Sequence, residues 1–228
     1  MSFSFSYAAP WLVAEFETEQ RMLSWSITHP GFCENKRVAW LEVRNSDLSP
    51  NIDAQEYMQS LLDKNKLRGA LGLMTSRHIE HHHFAERTQG FVKAQCLITL
   101  GLSNGAHIGF PDHEKSFEKV GTINSLCAVN VPLSDGAMIE ASSIATQART
   151  AALMDYYQTH LPQVQAITGT GTDCIVIACP KEASNTMFAG LHTNVGKALG
   201  EAVYTASRET CTVWHKTKRS WNTSDKNN

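Results

Sequence analysis

Four short polar motifs carry the glycines, hydroxyls and carboxamides from which a site for handling amides can be built: Gly101-Leu-Ser-Asn104, Gly121-Thr-Ile-Asn124, Thr168-Gly-Thr-Gly-Thr-Asp173 and Ala189-Gly-Leu-His-Thr193. They stand at the ends of apolar runs. Glycine there lets the backbone approach a ligand closely and bare its N–H donors, while Ser, Thr and Asn add donors and acceptors of their own. Hydrolysis of an amide needs an activated water or nucleophile, donors for the oxyanion, and an acid for the departing amine. Asp173 and His192 are the acid–base candidates. Asn104, Asn124 and the backbone N–H groups of Gly169, Thr170, Gly171 and Thr172 are candidate oxyanion donors, and Ser103, Thr122 and Thr193 complete the binding set. Structural readings stand beside these: Asp173 can close a tight turn by accepting nearby N–H groups, and His192 can cap or bond the start of a helix. A phosphate loop is the weaker reading, because such loops lead from strand into helix with Gly-Lys-Ser/Thr, whereas this turn enters a strand and holds no lysine.

Other residues invite chemistry less strongly. In His78-Ile-Glu-His-His-His83, the spacing puts His78 and His82 on one face of a helix, but H-E-x-x-H is absent and no third ligand is fixed, so a solvated histidine-rich face is expected and no metal site. The six cysteines (Cys33, Cys96, Cys127, Cys174, Cys179 and Cys211) form no C-x-x-C pair. They read as reduced thiols, most of them small buried hydrophobes without an activating neighbour. Trp11, Trp25 and Trp40 fit a core or surface role better than stacking on a planar ligand.

The elements that must position these groups follow from periodicity. Residues 22–27 and 37–43 read as a hairpin around Pro30-Gly31, and the segment from Asp53 to before Gly69 as a helix. Residues 70–74 and 91–100 read as strands, with a helix begun by Ser76 between them. Residues 101–120 have the composition of a long loop, 122–131 of a strand, and 134–157 of an alanine-rich helix. A buried strand at 173–178 and a helix from Val195 to about Thr210 complete the set. This pattern gives an α+β fold, a mixed β-sheet with helices packed in layers, in a single compact domain over residues 1–215, with a polar, frayed tail at 216–228.

Composition bounds the class. The 228 residues are 42% hydrophobic and 18% charged with a formal charge of −2, enough apolar surface for one core and no positive field to draw nucleic acid. The absence of a signal-type start, of an apolar run of about 18 residues, and of paired cysteines implies a soluble, cytoplasmic protein without membrane insertion.

In order along the chain, Gly72-Leu-Met-Thr75, Gly101 to Asn104, Gly121 to Asn124, Pro132-Leu-Ser-Asp135, Thr146 to Leu153, Gly169 to Asp173 and Ala189 to Thr193 resemble the motifs of the adenosylcobinamide amidohydrolases of corrinoid salvage. The similarity runs from about Ser24 to Ser207. It departs at Gln147, where the family commonly has Glu, at Arg149 for Lys, and at Leu191 for Thr. The resemblance implies hydrolysis of the amide joining aminopropanol to the corrin, giving adenosylcobyric acid. The corrinoid is then substrate and no separate cofactor is needed. It implies a small-molecule corrinoid as partner, and the sequence is compatible with a homo-oligomer. Two other readings remain: a corrinoid-binding or trafficking protein altered in catalysis through Gln147, and a general amidase using Ser103, Thr170 or Thr172 as nucleophile.

Overall fold

A computed structural model describes residues 2–44, 47, 52–110 and 121–224. Its elements are β1 (Phe3–Ala8), β2 (Trp11–Trp25), β3 (Pro30–Glu42), α1 (Ala54–Lys64), β4 (Leu71–Thr75), β5 (His83–Gln89), β6 (Val92–Leu100), β7 (Ile123–Val129), α2 (Asp135–His160), β8 (Cys174–Pro180) and α3 (Asn194–Ser224). The strands form one mixed sheet in the order β4-β3-β2-β8-β7-β6-β5, with β1 paired to β2. The fold is thus α+β, as the spacing of apolar residues indicates.

Two pairs of neighbouring strands are parallel, β3 with β4 and β7 with β8. Each needs a crossover, and α1 and α2 supply them. Asp53 starts α1 by accepting from the Gln55 and Glu56 amides, and Ser134 starts α2 by accepting from Ala137, which satisfies N–H groups the helices cannot. Strands β7 and β8 are buried along almost their whole length, which is why both read as unbroken apolar runs. On one face, Ile98, Ile123, Cys127, Ile175 and Ile177 pack against Met138 and Leu153 of α2 and Leu199 and Val203 of α3. On the other, Phe16, Met22, Trp40, Leu73, Leu97, Leu126 and Val176 share a single core. Residues from β3 and β4 therefore meet residues from β6 and β7 across the concave side, so the sheet is strongly bent. The bend lies in the long β2–β3 hairpin, whose register shifts between Glu15 and Gln20. β1 lies beside residues 11–16 of β2, and β8 lies beside residues 20–23.

Three local expectations are corrected. The histidine segment is not a helix: Ile79–His81 is one 3-10 turn, after which the chain pairs as β5. The expected pattern of strand, helix, strand is therefore strand, turn, hairpin. β1 was not evident in the sequence, because only Phe3 of its side chains is buried. α3 passes both Thr210, where the final helix was expected to end, and residue 216, where the frayed tail was expected to start. Residues 225–228 of that tail and residues 111–120 of the expected long loop lie outside the described residues. No helix among the described residues is long and apolar enough to cross a membrane.

The loop after β6 packs directly on the start of β7. A Cβ on Gly121 would lie 2.6 Å from both the Gly101 carbonyl oxygen and Asn104 Oδ1, and 2.9 Å from the Ser103 nitrogen. Two of these atoms are backbone and cannot move aside alone. Gly121→Ala is expected to lower stability by about 1–3 kcal/mol, read as a lower urea midpoint with an unchanged m-value.

Candidate active site

The free edge of β4 forms one side of a seam. Thr75 faces β3, since its carbonyl accepts from the Val43 amide at 2.9 Å, so by strand alternation the backbone groups of Gly72 and Met74 face outward. The folded-over hairpin tip meets this edge, where Thr28 Oγ1 accepts from the Gly72 amide at 2.8 Å. The start of β7 meets it further on, where Asn124 Nδ2 donates to the Met74 carbonyl at 2.6 Å. Between them lies a cleft of about 750 Å³. Trp25, Ile27, Val43, Leu73 and Met74 give it apolar walls, and Ser26, Thr75, Thr122, Asn124, Thr172 and Asp173 give it polar groups. Its volume is in the range of small-molecule sites.

Two of the four polar motifs line the cleft, and Gly101 to Asn104 packs directly behind them. The Gly101 amide donates to the Thr122 carbonyl at 3.0 Å, joining that segment to the 121–124 turn. Ala106 exchanges backbone bonds with the 168–169 segment, donating to the Gly169 carbonyl at 3.0 Å and accepting from Thr168 at 2.9 Å. The Thr122 and Thr172 hydroxyls are 2.5 Å apart, and Thr172 also donates to the Gly121 carbonyl at 3.2 Å. Ser103 and Asn104 stand against Gly121, behind Thr122, and Asn104 Oδ1 is buried without a hydrogen-bond partner among the described residues.

Asp173 binds the assembly together. Its Oδ1 accepts from the Ile123 amide at 2.9 Å and from the Thr170 hydroxyl. Its Oδ2 accepts from the Thr170 amide at 3.0 Å and pairs with Arg149 Nη1 at 3.0 Å. The carboxylate thus accepts three hydrogen bonds and faces one guanidinium. Arg149 comes from the middle of α2, and both side chains are only 9% exposed. Gly169 is held close, for a Cβ there would lie 2.8 Å from Asp173 Oδ2. The Asp173 carbonyl in turn accepts from the Trp25 indole, which fixes the half-exposed ring at the cleft wall. Trp11 and Trp40 are core residues.

The fourth motif lies elsewhere. β8 runs away from Asp173 for seven residues, about 20 Å. Beyond it Thr186 pairs with Leu133, and the Ala189 amide donates to Glu140 in the early turns of α2. Glu140 and Arg149 are about 13 Å apart along the helix. The Thr193 amide and hydroxyl both bond the Gly190 carbonyl, and Thr193 Oγ1 accepts from the Gly196 amide, which is capping chemistry at the start of α3. His192 is exposed beside it. His192 and Thr193 are therefore not brought to the cleft.

Several residues gain roles that spacing did not indicate. The hairpin tip at 25–27 and the β4 edge reach the cleft only through the bend of the sheet. The histidines lie on no helical face and are each partly exposed: His78 Nδ1 bonds Glu42 at 2.7 Å, His82 Nδ1 bonds the Ile79 carbonyl at 2.7 Å, and His82 packs on Phe5 and Tyr7. Burial lowers the pKa of His81 and His83. Among the described residues no three His, Cys, Asp or Glu are grouped to hold a metal ion. Gln147 is exposed on α2, donating to Ser143 at 3.0 Å, and does not line the cleft. Cys174 does line it, but burial, reinforced by the negative charge of Asp173 against the backbone bond from Trp25, pushes its thiol up to about 12.

Comparison with known proteins gives a consistent result. A family model described as adenosylcobinamide amidohydrolase matches residues 2–219. An uncharacterized protein of Methanocaldococcus jannaschii is 39% identical over 84% of this chain and 82% of its own length. A protein of Methanosarcina mazei named adenosylcobinamide amidohydrolase is 30% identical over 65% of this chain and 70% of its own length. A crystal structure of a Pyrococcus horikoshii protein covers 88% of this chain and 76% of its own at 12% identity, with a TM-score of 0.47.

Two measurements test the site as described. Asp173→Asn and Arg149→Met should each cost about 3–5 kcal/mol, because each leaves a buried partner uncompensated, and the double variant should cost clearly less than their sum in a denaturation cycle. Cys174 should resist iodoacetamide at pH 8 in the folded protein and react once the chain is unfolded in urea, followed by intact mass.

Proposed function

This chain belongs to the adenosylcobinamide amidohydrolase family, and from that premise we propose that it hydrolyses the aminopropanol amide of adenosylcobinamide in the seam cleft, releasing adenosylcobyric acid for corrinoid re-use. The observation that carries the reading is the meeting of two glycine-rich turns, 121–124 and 168–173, at one cleft with an aromatic wall. A corrin offers wide apolar faces and a rim of amides. Trp25 gives a face to stack on, while Ser26, Thr122, Asn124 and Thr172 give partners for amides.

In the reaction water adds to the amide carbonyl carbon, the carbon–nitrogen bond breaks, a proton passes to the departing nitrogen, and the corrin keeps the carboxylic acid. Charge gathers on the carbonyl oxygen in the tetrahedral state, so donors aimed there lower the barrier. Thr172 is exposed at the cleft and its hydroxyl bonds the Gly121 carbonyl. We assign it the switch from that carbonyl to the substrate oxygen. Asp173 acts by holding the 169–172 turn and the first residue of β7, because its carboxylate accepts from Ile123 and Thr170 and is paired with Arg149. Asn104 and Ser103 support Thr122 from behind.

Purified protein incubated with adenosylcobinamide should yield adenosylcobyric acid and 1-amino-2-propanol by mass spectrometry; tight binding without product would instead identify a carrier. Trp25→Ala should raise KM about tenfold, equivalent to ~1.4 kcal/mol of lost ring contact, and His192→Ala should leave kcat unchanged. Loss of turnover in His192→Ala with stability retained would move the site away from the seam.

A further inference from the structure

The outward edge of β4 presents four backbone groups to the cleft side, and two are already used. The Gly72 N–H is taken by Thr28 and the Met74 carbonyl by Asn124. The Gly72 carbonyl and the Met74 N–H are left between them, with no partner among the described residues, and both residues line the cleft. An edge with unpaired groups is a template for a further strand. Here the template is one residue long, because both ends are stopped by side chains.

A carbonyl at one position and an N–H two positions on are what a parallel strand bonds with a single residue, through that residue's own N–H and C=O. An antiparallel strand would reach the same two groups only with two of its residues, an N–H and a C=O five atoms apart, and would leave half of each pair unmade, since Gly72 has lost its donor to Thr28 and Met74 its acceptor to Asn124. A short ligand that fills both groups has a donor nitrogen and an acceptor oxygen joined by two carbons and lies parallel to β4.

The aminopropanol arm has that skeleton: an amide N–H, a methylene, a carbon bearing a methyl group, and a hydroxyl oxygen. We infer that β4 recognises the arm as though it were a strand residue, the Gly72 carbonyl accepting the scissile amide N–H and the Met74 N–H donating to the hydroxyl. The inference rests on the proposed substrate and adds how the leaving arm is selected. Gly72 is also where α1 and Thr28 pack closest on β4, for a Cβ there would lie 2.5 Å from Met58 Cε and 3.1 Å from Thr28 Cγ2. Recognition by backbone also makes the hydroxyl the distinguishing group, since an alkylamide arm leaves the Met74 N–H unpaired.

The test compares adenosylcobinamide with an analogue whose arm is n-propylamide, lacking only the hydroxyl, in the wild-type protein, Met74→Leu and Met74→Pro. A donor left buried and unpaired by the analogue should lower wild-type kcat/KM about tenfold or more. Met74→Leu keeps the N–H and should discriminate as the wild type does. Met74→Pro removes an N–H that no ladder bond uses, which an edge strand tolerates, and should cleave the two substrates at nearly equal, low efficiency. Equal cleavage by the wild type, or undiminished discrimination by Met74→Pro, overturns the inference while the amidohydrolase reading survives. Cleavage of neither substrate by the wild type overturns both. If Met74→Pro does not fold, wild-type amide exchange decides: a cobinamide analogue with a ketomethylene in place of the scissile amide should slow exchange at Met74, and an unchanged rate at saturation overturns the inference.

Discussion

A buried carboxylate held by three hydrogen bonds and one guanidinium is the constraint on which this site depends. Burying a negative charge is costly unless it is hydrogen-bonded and an opposite charge stands near. Asp173 meets both conditions by recruiting three parts of the chain: the first amide of β7, the backbone and hydroxyl of its own turn, and a guanidinium from α2. Because β7 and β8 are parallel neighbours, tying Ile123 to Asp173 aligns the starts of both strands. That alignment places Thr122 against Thr172 and puts Asn124 within reach of β4. The Asp173 carbonyl then holds the indole of Trp25. One side chain thus joins the polar floor of the cleft to its aromatic wall.

The bend of the β2–β3 hairpin contributes the other half. A flat hairpin would carry its tip away from β4. The register shift after Glu15 lets the ribbon coil until Thr28 reaches Gly72, so an edge strand that would otherwise be open is met from both ends by side chains. The cleft is the gap that this closure leaves. Protection of the edge and formation of the site are one feature of the fold.

Much of this was legible in the residues, and the parts that were not share a cause. The caps Asp53 and Ser134, the alanine-rich α2 and the unbroken apolar runs of β7 and β8 are local signals, and they mark the elements to within a few residues. The glycine-rich turns at 101–104, 121–124 and 168–173 were legible as turns for the same reason. Ala189 to Thr193 carries equally suggestive residues, yet it sits by Glu140 because β8 leads away from Asp173, and strand direction is not written in a motif. Arg149 stood out only as a departure from a lysine, whereas its worth comes from facing Asp173 across the α2–β8 packing. Trp25 and the β4 edge meet through a bend spread over two strands. The histidines illustrate the converse: their helical spacing was overridden by the pairing of His83–Gln89 with β6.

The account ties recognition of the corrinoid to the seam between β4, the hairpin tip and the starts of β7 and β8. A crystal structure with a non-cleavable cobinamide analogue bound tests that claim most directly. It should show the corrin against the Trp25 ring, with the arm lying along β4 and its hydroxyl in hydrogen-bonding distance of the Met74 amide. A corrin seated instead beside His192, with the seam unaltered, would contradict it.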